Sequence, residues 1–114
     1  MHDHELLELA AKAAGYSVHG WINDRLYLVD PSNPAENFDP FPWNPLTDDG
    51  DALRVAVRLN LRVMPQDKCV YVESNPDSVL GFSSVSEIEM NGIDPYAATR
   101  RAIVRAAAEI GRQR

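Results

Sequence analysis

Three aspartates near position 50 form the local cluster best suited to chemistry, namely Asp48, Asp49 and Asp51. Several carboxylates close together can hold a hard divalent cation through oxygen ligands. The same residues also fit a helix start, where carboxylates cap free amides and stabilise the positive end of the dipole. Asp48 and Asp51 have capping-box spacing, and the distal glutamate of a calcium loop is missing. The pattern favours a helix start, with a metal-dependent hydrolase-type enzyme as the alternative.

Histidine and cysteine side chains are weaker candidates. His2 and His4 could bind copper or nickel adventitiously, although a mobile terminus is the simpler interpretation. His19 has no obvious partner in the sequence, and Cys69 opens a predicted strand, where a free cysteine usually acts as a small hydrophobe. The sequence contains no glycine-rich phosphate loop, HExxH motif or GxSxG elbow. We therefore predict no catalytic residue, no metal ligand and no cofactor, and favour a non-enzymatic protein.

Arginines recur on one face of the last predicted helix. Arg101, Arg105, Ala108 and Arg112 follow helical spacing, and this face could contact the acids of a partner or a phosphate backbone. Cations near a helix C-terminus also stabilise the dipole and keep a surface soluble. A solvated face is the simpler interpretation, and Arg101, Arg105 and Arg112 are the candidate partner-binding residues.

A long segment rich in proline and aromatic residues lies before the aspartates. Residues 30–45 contain five of the eight prolines, which disfavour both helix and central strand, so we expect a long loop. Phe38, Phe41 and Trp43 are too apolar for a free linker. They either form an exposed docking patch around residues 36–46 or close the edge of the core. Both interpretations stay open, and these three aromatics are also candidate partner-binding residues.

Helical periodicity and end signals predict three helices. The first spans residues 3–14, with Asp3 as its N-cap and Gly15 as a left-handed terminator. The second spans residues 48–59 and stops at Asn60. The third begins at Asp94, is followed by proline at its first position, and runs to residue 111. Core-facing positions predicted for the third helix are Tyr96, Ile103, Ala107 and Ile110.

Strand patterns fall between the helices. Residues 16–21 and 25–30 predict a hairpin that turns at Asn23 and Asp24. Residues 61–64, 68–74 and 83–90 predict three further strands. This order predicts an α+β fold, a layered α/β sandwich in which about three helices pack a mostly antiparallel sheet. The length of 114 residues predicts a single domain over residues 1–114.

Composition excludes several classes of protein. Hydrophobic residues make up 45% of the chain and charged residues 25%, a balance typical of globular proteins. No apolar run reaches membrane-spanning length and the first residues do not resemble a signal peptide, so we expect a cytoplasmic protein. The net charge is −6, yet residues 100–114 carry five arginines and one glutamate. An acidic body with a basic tail argues against broad nucleic-acid contact.

Two sequence blocks resemble a family of small phage and prophage proteins, the phage α-β-α sandwich domain. The residues that carry this resemblance are WNPLTDDGDALR at 43–54 and DPYAATRRAIVRA at 94–106. The resemblance implies a layered α/β fold in a bacterium or its virus. It implies no established activity and no catalytic residues.

The residues and the resemblance together predict a phage or prophage accessory protein in the cytoplasm of a bacterial host. We expect it to act through contacts with an unknown protein partner or with copies of itself. The alternatives are the metal-dependent hydrolase of residues 48–51 and a nucleic-acid contact through the C-terminal arginines.

Overall fold

Three α-helices lie within the part of the chain that the structure describes, a computed structural model covering residues 2–31, 39–74, 85–89 and 94–113. For residues 85–89 it describes the backbone. The helices are α1 (Asp3–Ala13), α2 (Asp49–Arg58) and α3 (Pro95–Arg112). All three agree with the predicted positions.

Local signals set the helix ends, with one exception. Asp48 precedes α2 and accepts the Asp51 amide at 2.8 Å, and Asp94 precedes α3 and accepts the Tyr96 amide at 3.0 Å. The φ of +89° at Gly15 and of +54° at Asn60 confirms both predicted terminators. The predicted N-cap of α1 is wrong, because Asp3 is already helical and His2 occupies the cap position without a side-chain hydrogen bond.

The described strands form two antiparallel sheets of three strands each. The first contains β1 (Ser17–Ile22), β2 (Arg25–Val29) and β3 (Phe41–Pro42), and the second contains β4 (Leu61–Pro65), β5 (Cys69–Ser74) and β6 (Val85–Glu89). Asn23 and Asp24 have φ of +52° and +63° and turn the first hairpin as predicted. The predicted α+β fold, with antiparallel strands packed by three helices, is confirmed. The described strands are divided between two sheets, because each strand pairs only with partners on its own side of α2.

The proline-rich segment contains a strand that the sequence did not predict. Phe41 and Pro42 pair with Leu28 and Tyr27 of β2. The amide of Trp43 then donates to the carbonyl of Leu26 at 2.9 Å. Pro42 is compatible with this position because β3 lies at the edge of its sheet, where a missing amide donor is tolerated. The segment therefore joins the first sheet before it leads into α2.

One cluster of buried side chains joins the helices to both sheets. It includes Leu26 and Leu28 of β2, Val70 and Val72 of β5, and residues of all three helices. Along α3 the predicted core residues Ile103, Ala107 and Ile110 are buried. Tyr96 is 70% exposed, contrary to prediction, because it lies in the first turn and burial along α3 begins at Ala98.

Small residues allow α1 and α3 to pack at close range. Ala10 and Ala11 of α1 and Ala106 and Ala107 of α3 are completely buried. Gly111 approaches the backbone of α1 so closely that an added Cβ would overlap the carbonyl oxygen of Leu9 and lie 2.8 Å from its carbonyl carbon. The atoms that meet here belong to the backbones of both helices. A larger residue at position 111 could therefore be accommodated only if one of the helices moved.

We expect Gly111→Ala to lower the free energy of unfolding by about 2 kcal/mol, since added volume at a closely packed contact forces backbone shifts. Urea unfolding followed by circular dichroism measures the loss. Gly50→Ala is the matched control in α2, where the new methyl group would meet the end of the Asp48 side chain at 3.2 Å. It should change stability by less than about 1 kcal/mol. Equal midpoints for wild type and Gly111→Ala would contradict the close approach.

Candidate functional site

A groove between α1 and α3 brings together the three arginines that the sequence singled out. We call it the arginine groove, and its volume is about 400 Å³. The described residues that line it are Leu6, Arg101, Arg105, Ala108, Glu109 and Arg112. Helical spacing places Arg101 and Arg105 one turn apart and Arg112 two turns further along the same face. The packing of α1 against α3 supplies Leu6 from the opposite side. The structure therefore combines a cationic helix face with apolar side chains.

The arginines of the groove differ in how their charges are compensated. Arg101 contacts both carboxylate oxygens of Asp3 at 3.3 and 3.4 Å, and Arg112 lies 3.4 Å from Glu109. These are long, exposed ion pairs, which contribute little to stability. Arg105 is exposed and forms no ion pair with any described residue. Arg105 is thus the cation of the groove that is most available to an external acid.

The aromatic residues of the proline-rich segment pack toward the body of the protein. Trp43 is 3% exposed and belongs to the core, and Phe41 is partly buried against it. The ring centroids of Phe41 and Trp43 lie 5.7 and 5.8 Å from that of Tyr16. Trp43 is therefore a core residue, in agreement with the second of the two interpretations of this segment, because its ring fills space beside Tyr16. Phe38 lies outside the described residues.

The three aspartates near position 50 each have a partner at the start of α2. Asp48 caps the helix, Asp49 binds Arg100 at 2.7 Å, and Asp51 accepts the Asn44 amide at 3.0 Å. Arg100 also donates from Nε to the carbonyl of Leu46 at 2.8 Å, which ties α3 to the segment before α2. These contacts support the helix-start interpretation of the aspartates.

A second cavity, of about 350 Å³, lies beside the same helix start, and we call it the aspartate cavity. The described residues that line it are Arg25, Leu26, Pro42, Trp43, Asn44, Thr47, Asp48 and Asp51. Sequence reasoning identified its two aspartates but missed Arg25. No local signal marks Arg25, because only the pairing of β2 with β3 brings it near the start of α2.

His4 and Cys69 have structural contacts with neighbouring side chains. The His4 ring stacks on Trp21 with centroids 3.8 Å apart, and its Nε2 lies 2.9 Å from a carboxylate oxygen of Asp24. His19 is exposed on β1, and the Cys69 thiol lies 3.7 Å from the side-chain oxygen of Gln66. Within the described ranges, no three His, Cys, Asp or Glu side chains are placed to hold a metal ion.

Comparison with known proteins found no matching family model, no matching curated protein and no matching solved structure. The resemblance to the phage family therefore stays a prediction. Among the described residues, no helix has the combined length and apolar character that a membrane span requires.

Burial raises the pKa of the Asp51 carboxyl above its ordinary value of 3.8, and the nearby Asp48 raises it further. The Asn44 amide and Arg54 oppose this change. Asp51 therefore binds a proton more tightly in the folded protein than in the unfolded chain. Its contribution to stability is fully present below pH 3.8 and is lost as the pH rises through the folded pKa.

We therefore expect Asp51→Asn to gain stability relative to wild type as the pH rises from acid toward neutrality. The neutral amide keeps an oxygen that can accept the Asn44 amide and has no charge to desolvate. Urea unfolding of both proteins across this range gives the difference at each pH, and the contributions of other carboxylates cancel. A difference that stays constant or moves the opposite way would contradict the raised pKa.

Proposed function

We propose that this protein is a non-enzymatic interaction module that binds an acidic segment of a protein partner in the arginine groove. The observation that supports this most directly is the shared lining of the groove by three arginines, of which Arg105 has no ion pair among the described residues. Guanidinium groups bind carboxylates with directed, charge-assisted hydrogen bonds. An acidic segment is thus the complementary occupant.

The length of the groove indicates the size of that segment. From Arg101 to Arg112 a helix rises about 16 Å. An extended peptide covers this distance with about five residues. Leu6 and Ala108 also line the groove, but they are only 7% and 1% exposed and offer little apolar surface. We infer that the bound segment is about five residues long and is recognised through its carboxylates.

The charge of the whole chain favours a protein partner over nucleic acid. The net charge is −6, and the cations of the groove occupy one helix face. A nucleic-acid backbone approaching α3 would also meet the acidic remainder of the chain, which opposes binding. A short acidic peptide contacts the groove alone and avoids most of this repulsion.

The metal-dependent hydrolase alternative receives less support from the described contacts. Asp48 and Asp51 act at the start of α2, and Asp49 is paired with Arg100. These carboxylates already have structural partners. We retain the interaction module as the proposed function for this reason.

The narrower proposal, an accessory protein of a phage or prophage in the bacterial cytoplasm, rests on the resemblance of residues 43–54 and 94–106. The identity of the neighbouring genes tests this narrower proposal. A position among phage regulatory or structural genes would support it, and a position among unrelated host genes would count against it.

Binding to labelled peptides tests the arginine groove. The probe is an acidic peptide of about nine residues, and its comparison has glutamine in place of each acid. We expect fluorescence anisotropy to show saturable binding of the acidic peptide that weakens with salt. Arg105→Gln should reduce affinity about fivefold, which corresponds to ~1 kcal/mol.

Arg62→Gln is the matched control, because Arg62 is an exposed cation on β4 that pairs with Glu73 at 2.9 Å, outside the groove. It changes the net charge equally and should leave peptide affinity unchanged. Equal losses in both variants would indicate nonspecific attraction and overturn the proposal. Tighter binding of a single-stranded oligonucleotide of matched charge would favour the nucleic-acid alternative. Self-association that Arg105→Gln abolishes would identify a second copy as the partner.

A further inference from the structure

The aspartate cavity places opposite charges on its walls. Arg25 enters from β2, and Asp48 and Asp51 enter from the start of α2. Arg25 forms no ion pair with any described residue. A cavity of about 350 Å³ lies near the lower end of the usual size range of small-molecule sites. This combination indicates a small ligand that carries charge of both signs.

The two aspartates retain capacity to accept hydrogen bonds. Asp48 uses Oδ2 to accept the Asp51 amide, and its other oxygen accepts no hydrogen bond from a described residue. Asp51 accepts the Asn44 amide through Oδ2, while Oδ1 accepts only a long hydrogen bond of 3.4 Å from Arg54. An ionised carboxylate oxygen can accept more than one hydrogen bond, so both side chains can receive an ammonium group.

Trp43 provides an independent observation on the same cavity. It lines the cavity and is 3% exposed, yet its indole Nε1–H donates to no acceptor among the described residues. A buried donor without an acceptor is costly and rare in folded proteins. Leu26, Pro42 and Asn44 are its neighbours in the lining. An acceptor brought by a ligand would satisfy this donor, provided that the side chains covering the nitrogen shift.

We propose that the aspartate cavity binds a small zwitterion of the free α-amino acid class. Its ammonium group binds Asp48 and Asp51, and its carboxylate binds Arg25 with the Trp43 indole as a second donor. A divalent cation would be repelled by Arg25, and a simple anion would be repelled by the two aspartates. Only a ligand with both charges complements the whole lining. This site is separate from the arginine groove and does not depend on its function.

Nuclear magnetic resonance of the ¹⁵N-labelled full chain tests the proposal with free L-amino acids added one at a time. We expect at least one to shift the Trp43 indole resonance and the amides of Asn44, Asp48 and Asp51 saturably. The Trp21 indole, which donates to Glu8 at 3.2 Å, lies outside the cavity and should not move. Methylamine and acetate each carry one of the two charges, and each should bind about tenfold more weakly or worse.

Arg25→Gln changes an exposed hairpin residue and should weaken binding about tenfold while the spectrum stays folded. Asp51→Asn should weaken it similarly, and Arg62→Gln should have no effect. Absence of saturable shifts with every amino acid up to about 10 mM would overturn the proposal. Binding of methylamine as tight as that of the amino acid would overturn it in favour of a simple cation site. Unchanged affinity in Arg25→Gln would also overturn it.

Discussion

The close approach of α1 and α3 is the constraint on which the rest of the structure depends. Buried alanines line both helices, and Gly111 contacts the Leu9 backbone without an intervening side chain. Alanine contributes little hydrophobic area, so these helices must approach closely to exclude water and make dispersion contacts. The same approach brings Leu6 beside the arginines of α3. The packing that stabilises the fold therefore also forms the arginine groove.

Arginines in this protein divide between internal connections and exposed cations. Arg58 lies 4.3 Å from the Tyr16 ring and donates to the Ala14 carbonyl and to Asp30. Arg100 similarly connects α3 to the segment before α2. Arg101 and Arg105 follow in the same helix and lie in the groove. Counting charges in the sequence cannot separate these roles, because each role depends on which distant backbone or carboxylate lies within reach.

Local signals made much of the fold predictable, and long-range pairing accounts for what was missed. Caps at Asp48 and Asp94 and turns at Asn23 and Gly15 act within a few residues, so the sequence reveals them directly. The short β3 exists only because β2 offers an edge to pair with. The same pairing places Trp43 beside β2, where its side chain is buried. Helical periodicity correctly predicted that the arginines share one face of α3. The opposite wall of the groove, at Leu6, depends on how α1 packs against α3 and could not be predicted from the sequence.

The start of α2 joins structural stability to the capacity for recognition. Asp48 and Asp51 fix the first turn through the Asp51 and Asn44 amides, and these hydrogen bonds orient both carboxylates beside the aspartate cavity. A carboxylate held in this way needs little further ordering when a ligand arrives, which lowers the entropic cost of binding. Burial raises the pKa of Asp51 because it destabilises the charged carboxylate. A cationic group beside Asp51 would stabilise that charge and is therefore favoured there. Capping and ligand binding are therefore compatible roles for the same two side chains.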